Sequence, residues 1–304
     1  MLGILSNTNL KIVLPVRFGQ DTMYGVIRRG ITDQGDARAS NIDIDFGSIQ
    51  FIEPIGVVVL SNFIEYLRRC KVNGNLTNIW KTYPAVQYLD DCGFFARYHG
   101  QPLSQHAQRR PTMFPLTLIS NEQAMGFLYM TLIPWAATQL GVPDEALASL
   151  RVCLEEILHN INDHSGVGVG CIHAQFFPND GELHIAISDF GTGIPNVVRT
   201  RVPQISDAEA LKLACTQGFT TQSNVRNRGA GLDVLISTIT TKDRGHISII
   251  SGRANISALN VGGIAKRTAR TKPFVYPGTL VRVALKTDRL QGWIDEVEPE
   301  VFKW

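Results

Sequence analysis

The stretch Leu154-Glu155-Glu156-Ile157-Leu158-His159-Asn160-Ile161-Asn162-Asp163-His164-Ser165 decides the fold of the second half of this 304-residue chain. It contains two stripes at helical spacing. Glu156, Asn160 and His164 recur at every fourth position, and at about 100° per residue they drift by only about 40° per step. The adjoining apolar stripe is formed by Leu147, Leu150, Leu154, Ile157 and Ile161. We therefore predict an amphipathic helix with three polar groups at the rim of its buried face.

The helical phase also separates two neighbouring glutamates. Glu155, His159 and Asn162 point away from the apolar stripe and predict a solvated face, so Glu156 is the candidate for chemistry. Taken alone, the polar trio is equally consistent with an ordinary exposed helix face. His164 is also consistent with a histidine that complements the dipole at a helix end.

A second motif follows a strand. Strict alternation from Leu183 to Ile187 predicts the strand, and Asp189-Phe190-Gly191-Thr192-Gly193 turns the chain at its end. Glycines allow the backbone to approach a ligand closely, and a carboxylate at a strand end accepts a hydrogen bond from an exocyclic amine. In isolation this motif is more typical of a plain turn.

A third motif is Arg228-Gly229-Ala230-Gly231-Leu232, a glycine turn that opens a short apolar helix. Such a turn presents backbone N–H groups and the positive end of a helix dipole to phosphate. Alone, it is more often a simple loop before a helix. The three motifs in this order together indicate a nucleotide site.

The order E-x3-N-x3-H, D-x-G-x-G-I and G-x-G-L resembles the GHKL ATPases over residues 115–287, most closely the anti-sigma-factor serine kinases. The resemblance implies an α/β sandwich with a mixed sheet, and ATP and Mg²⁺ as cofactors. It implies that Asn160 holds magnesium, that Glu156 is the catalytic base and that Asp189 binds the adenine amino group. Residues 216–228 would form a lid over the nucleotide. The other cofactor-binding positions carried over by the resemblance are His164, Gly191, Gly193, Thr220, Thr221, Gly229, Gly231 and Leu232.

The first part of the chain has its own pattern. Residues 42–46 alternate like a strand, 57–69 form an apolar-to-basic helix, 76–80 read as another strand and 86–89 begin a short helix, which predicts a small α/β layer. The run from Ile44 to Gly56 resembles the STAS domains of anti-sigma-factor antagonists, which implies docking or homo-oligomerisation through this layer. Those domains carry Asp-Ser where this chain has Glu53-Pro54, so the family's phosphoacceptor is missing.

The whole chain is thus predicted to be a two-domain α/β protein. The predicted divisions are a STAS-like domain (1–104), a linker (105–114) and a GHKL-type domain (115–304) with a basic insertion at 253–277. Arg253, Lys266, Arg267, Arg270 and Lys272 lie in that insertion, without an acid. The insertion is interpreted either as a contact for an anionic partner or, more often for such segments, as a solvated mobile loop.

Composition limits the function classes. The chain is 44% apolar with a net charge of +2, which argues against general attraction to nucleic acid. No apolar run reaches membrane-span length and the N-terminus lacks a signal peptide, so we predict a cytoplasmic protein without membrane contact. Five cysteines without paired spacing read as reduced thiols. The predicted function is an ATP-binding regulator acting on protein partners, as a switch ATPase or a serine/threonine kinase. The alternative is a non-catalytic ATP-sensing interaction module.

Overall fold

The computed structural model describes residues 8–80, 82–120, 124–164, 169–216, 218–219, 231–242 and 245–287, and their side chains except at 120, 124–125, 159–164, 169 and 242. We call residues 8–104 the N-terminal layer. Its elements are β1 (Asn9–Val13), β2 (Arg17–Phe18), α1 (Met23–Gly30), β3 (Asn41–Asp45), β4 (Phe51–Ile52), α2 (Pro54–Arg69), β5 (Asn73–Thr77), α3 (Pro84–Asp91) and α4 (Phe94–Tyr98).

The N-terminal layer is built around a parallel sheet in the order β1-β3-β5, with β2 and β4 forming a separate short parallel pair. The predicted strand at 42–46 is confirmed as β3. The predicted helix at 57–69 begins earlier, at Pro54, because proline is well tolerated in the first turn, where its missing N–H has no helical partner. The strand predicted at 76–80 lies instead at Asn73–Thr77, and the helix predicted at 86–89 is α3.

The remainder of the chain forms a sheet with helices. Its elements are β6 (Met113–Ser120), α5 (Ala124–Phe127), α6 (Ile133–Leu140), α7 (Ala148–His164), β7 (Val169–Phe177), β8 (Glu182–Asp189), α8 (Ile194–Arg199), α9 (Asp207–Ala214), α10 (Leu232–Ser237), β9 (His246–Val261) and β10 (Ile264–Lys286). Wider helical turns at Leu128–Leu132 and Thr238–Lys242 continue α5 and α10. The predicted motif helix and the predicted strand at 183–187 are therefore present as α7 and β8.

The five-stranded sheet has the order β6-β7-β8-β10-β9. A mixed sheet was expected from the resemblance, but each neighbouring pair in the described residues is antiparallel. The reason lies in the connections: β7 to β8 and β9 to β10 are hairpins, and a hairpin joins antiparallel strands. After β8, the chain enters β9 at the end of the sheet where β8 begins, so β9 runs in the direction of β8 and β10 runs opposite to both.

The N-terminal layer and the five-stranded sheet meet in a shared hydrophobic core. Helix α2 is buried nearly all round, because one side packs on the parallel sheet and the other on β7 and β8. The core cluster of the N-terminal layer consequently includes Cys171, Ala186 and Leu280 of the five-stranded sheet. The first strand of that sheet, β6, begins at Met113, which lies inside the predicted linker.

The basic insertion at 253–277 is a β-ribbon that extends β9 and β10 beyond the sheet, so the interpretation as a loop is wrong. Ala254, Ile256 and Ala258 alternate and bury one face of the ribbon. Its turn is Gly262-Gly263, with φ of +62° and +85°, a conformation that favours glycine in tight hairpins.

Candidate functional site

Helix α7 presents Glu156 to a small cavity. The cavity has a volume of about 200 Å³ and lies between α7 and α10. Its lining is mostly apolar or small: Ser149, Val152, Cys153, Glu156, Val234, Leu235 and Thr238. Glu156 supplies the only carboxylate among these residues, and it is half-buried. The predicted position of Glu156 at the rim of the buried face is therefore confirmed.

The neighbouring glutamate is not where the helical phase predicted. Only 17% of the Glu155 side chain is exposed, and its Oε1 lies 3.8 Å from Arg151 Nε one turn earlier. A hydrogen bond with Glu155 also raises the pKa of Tyr129. The segment 128–132 covers this flank of α7, so the prediction of a solvated Glu155 is wrong. A helical wheel shows which residues share a face, but not which faces a neighbouring segment covers.

The Asp189 turn closes the end of β8. The carboxylate is 2% exposed, and its Oδ1 accepts a hydrogen bond from Gly191 N at 2.8 Å. Burial raises the pKa of Asp189 to about 7, although the backbone N–H groups of Gly191 and Thr279 lower it. Gly193 has φ of +77°, which requires glycine there. Asp189 is thus a buried acid that titrates near neutral pH.

Two residues of β10 that no sequence motif marked, Gly278 and Thr279, support this turn. Thr279 faces Asp189 in the register of β8 and β10. Gly278 has φ of +75°, and a Cβ there would lie 2.4 Å from Asp189 O and 2.5 Å from Asp189 Oδ1. Only glycine fits against the Asp189 carboxylate at that point. The signal in the sequence was the turn dipeptide Pro277-Gly278, which comes shortly before the apolar run that begins at Leu280.

The third motif begins α10. Gly231 is the N-cap of that helix, with extended backbone geometry, and Leu232 is its first residue and packs against the core. Arg267, on the basic ribbon, donates to Cys215 O at 2.8 Å and to Asp233 Oδ1 at 2.6 Å. It therefore joins the end of α9 to the start of α10. Sequence reasoning grouped Arg267 only with the other cations of the insertion.

Several predicted site residues fall outside what the structure describes. Asn160 and His164 belong to the last turns of α7, but their side chains are not described. Thr220, Thr221 and Gly229 lie outside the described residues altogether. Among the described side chains there is no cluster of three or more metal-ligating groups. The assignment of Asn160 to magnesium therefore stays a prediction.

The sheet register brings the first two motifs, on α7 and after β8, toward one end of the sheet. Helix α7 ends at His164, and β7 begins only a few residues later, at Val169. Because Cys171 faces Ser188, the start of β7 lies beside the end of β8. The end of α7 and the Asp189 turn therefore lie toward the same end of the sheet. Asp189 itself does not line the cavity beside Glu156, so the two carboxylates do not share one described pocket.

A second cleft lies at the opposite end of β8, between the sheet and the N-terminal layer. Its volume is about 220 Å³, and Glu53 and Pro54 line it together with Arg17 and Arg282. Burial lowers the pKa of His184 in this cleft, and Arg282 lowers it further, although Glu182 at 2.8 Å raises it. Glu53 and Pro54 therefore lie at a cleft of mixed charge.

No protein-family model matches this chain, and no curated protein matches it. In the part of the chain that the structure describes, no helix is both long enough and apolar enough to cross a membrane.

Proposed function

We propose that residues 115–287 bind an adenine nucleotide with magnesium, as the resemblance to GHKL ATPases implies, and that the bound nucleotide controls a protein partner. In this proposal Asp189 accepts the hydrogen bond of the adenine amino group. Asn160 and the N-terminal end of α10 hold magnesium and phosphate, and Glu156 is the base.

The observation that carries the proposal is the Asp189 turn. A carboxylate that is 2% exposed and has a pKa raised to about 7 costs free energy in the folded protein. Side chains with strongly perturbed pKa values cluster at functional sites. The last turns of α7, which contain Asn160 and His164, lie toward the same end of the sheet as the Asp189 turn.

Calorimetric titration of the full chain with ATP and magnesium at pH 8 tests the binding. Wild type is expected to bind, and Asp189→Asn to bind about ten- to a hundredfold more weakly, because a charge-assisted hydrogen bond in a buried site is lost. Asp180→Asn, an exposed aspartate in the β7–β8 turn, is the matched control and should bind like wild type. Absence of heat for a folded wild type, or equal affinity of Asp189→Asn, would contradict the proposal.

The catalytic version is a switch ATPase or a serine/threonine kinase. Glu156→Ala should leave ATP binding nearly intact and lower turnover by about 10²-fold or more. Glu155→Ala should lower the free energy of unfolding, because Arg151 loses its carboxylate, while turnover per folded molecule stays within about twofold. Exposed Glu145→Ala serves as the control for both measurements.

The second candidate is an ATP sensor that does not hydrolyse the nucleotide. It is favoured by the absence of a hydroxyl at Pro54 and by the burial of the nearby Ser61, whose Oγ lies 2.6 Å from Tyr98 Oη. Steady-state phosphate release separates the two versions. Turnover of wild type no higher than that of Glu156→Ala, even with a partner present, would select the sensor. Mapping phosphate after incubation with labelled ATP checks Ser48, which is exposed, as an alternative acceptor.

A further inference from the structure

The C-terminal end of α2 contacts the Asp189 turn from the other side of the sheet. Arg69 Nη2 donates to Phe190 O at 2.8 Å. The ring of Tyr66, one turn earlier, packs edge-on against the ring of Phe190 at 5.9 Å between centroids. The N-terminal layer therefore touches the residue that directly follows the candidate adenine acceptor.

Phe190 fixes the turn to the core of the N-terminal layer. Its side chain is buried, and it also packs edge-on against Tyr276 at 5.2 Å. Phe190 belongs to the core cluster that contains α2, and not to the cluster around α7. The hydrogen bond and the ring contact therefore both join the turn to the C-terminal end of α2.

The charges around Asp189 make Arg69 distinctive. Cys171 on β7 and Tyr276 on β10 also interact with this carboxylate, but burial raises the pKa of each, so both are neutral near pH 7. Arg69 is the cation that lowers the pKa of Asp189 against the effect of burial. Arg68, its neighbour, instead lies near Glu65 and over the ring of Tyr98.

We propose that Arg69 is a positioning residue of the candidate nucleotide site, through which the N-terminal layer holds the Asp189 turn ready to accept an adenine amino group. This assignment rests on the proposed function.

The test compares Arg69→Gln with Arg69→Lys and with the control Arg68→Gln, all in the full chain. The first measurement is the titration of the Asp189 carboxyl by carbon NMR without nucleotide, with the signal assigned by Asp189→Asn. The second is the Kd for ATP with magnesium between pH 6 and pH 9. Arg69→Gln should move the titration midpoint upward and weaken ATP binding at pH 7 by about three- to tenfold. The difference in ATP affinity between wild type and Arg69→Gln should narrow at pH 9, where the Asp189 carboxyl is ionised in both proteins.

Arg69→Lys should restore most of the midpoint, because it keeps the charge, while Arg68→Gln should match wild type in both measurements. A merely structural role would lower thermal stability without moving the midpoint. The inference is overturned if wild type binds ATP and the midpoint of Arg69→Gln is unchanged, or if Arg68→Gln shifts it as much. If wild type does not bind ATP, the proposed function fails, and the midpoint still decides whether Arg69 controls the turn. If Arg69→Gln does not fold, Arg69→Met, which keeps a long side chain without the charge, replaces it in both measurements, and an unchanged midpoint in that variant overturns the inference.

Discussion

The two faces of the five-stranded sheet are covered in different ways. The face toward α7 is aliphatic, with Ile172, Ile185 and Ile187 buried against the helices. The face toward α2 carries polar side chains that are also buried: Cys171, His173, Gln175 and Ser188. Each face is excluded from water, but only the second needs specific hydrogen-bond partners.

The N-terminal layer supplies those partners. Tyr88 on α3 lies 2.8 Å from His173 Nε2, and Ser61 on α2 lies 3.1 Å from Cys171 Sγ. Apolar contacts depend mainly on area and shape, whereas a buried polar group is costly unless its partner is in place. The comparison therefore indicates that the α7 face confers stability and that the α2 face determines how the two parts of the chain fit together.

The largest effect is expected on the apolar face. Leu154→Ala removes a fully buried side chain of α7 and should lower the free energy of unfolding by about 2–5 kcal/mol. Val152→Ala, at a position that is 44% exposed on the same helix, is the control and should cost much less. Urea denaturation of both variants measures the difference. Equal costs would mean that the α7 face is not a packed core.

Asp189→Asn should reveal how much free energy the ionised, buried carboxyl of Asp189 costs the folded protein. The folded pKa of about 7 lies above the unfolded value of 3.8, so between these values the folded state binds more protons and its stability falls as pH rises. Relative to wild type, the variant should gain stability from pH 4 to pH 7, by up to about 4 kcal/mol, and stay level above.

The quantity to measure is the difference in unfolding free energy between wild type and Asp189→Asn, because His173 changes the stability of both proteins with pH in the opposite direction. Burial lowers its pKa to about 3, so stability attributable to His173 is lost as pH falls below its unfolded value of 6.5. Urea denaturation at pH 5, 6, 7 and 8 gives the profile of the difference. A difference that does not change with pH would show that Asp189 is ionised throughout this range in the folded protein.

A smaller effect is expected for Tyr88→Phe on the polar face. The loss of the hydroxyl leaves His173 Nε2 without its partner in a buried site, which should cost about 1–3 kcal/mol. Tyr83→Phe is the control, since that hydroxyl lies outside the network among the described residues, and it should stay within about 0.5 kcal/mol. Thermal and urea unfolding compare the two. If both variants behave alike, the polar face does not depend on its partners.

The smallest effect is expected for Ser61→Ala. The Ser61 hydroxyl forms a hydrogen bond with Tyr98 Oη and lies near Cys171 Sγ. Without it, Tyr98 can still donate to Ser61 O and Cys171 to Asn62 Oδ1, so the cost in unfolding free energy should be about 1 kcal/mol. The double variant with Tyr88→Phe measures the coupling between the two hydrogen-bonded groups. Additive costs would show that the polar face consists of independent contacts, and a large coupling would show one network.

Part of the candidate site could be predicted from the sequence, and four residues show which part and why. Glu156 was predicted at a buried rim because helical periodicity fixes which positions share a face. Asp189 was predicted at a strand end because alternation and glycines mark such a position. Glu155 was predicted wrongly, since the segment that covers it comes from residues 128–132. Gly278 was not recognised, because its contact with Asp189 spans about ninety residues of chain.

Local patterns in the sequence determined the elements of this protein. They specified α2, α7 and β8, the turn after β8 and the apolar stripe that buries α7, because neighbouring residues set helical and strand periods. Tertiary structure alone decided the antiparallel order of the sheet, the ribbon at 253–277 and the polar face under α2. It also placed Arg69 against Phe190, because such contacts depend on which distant segments pack together.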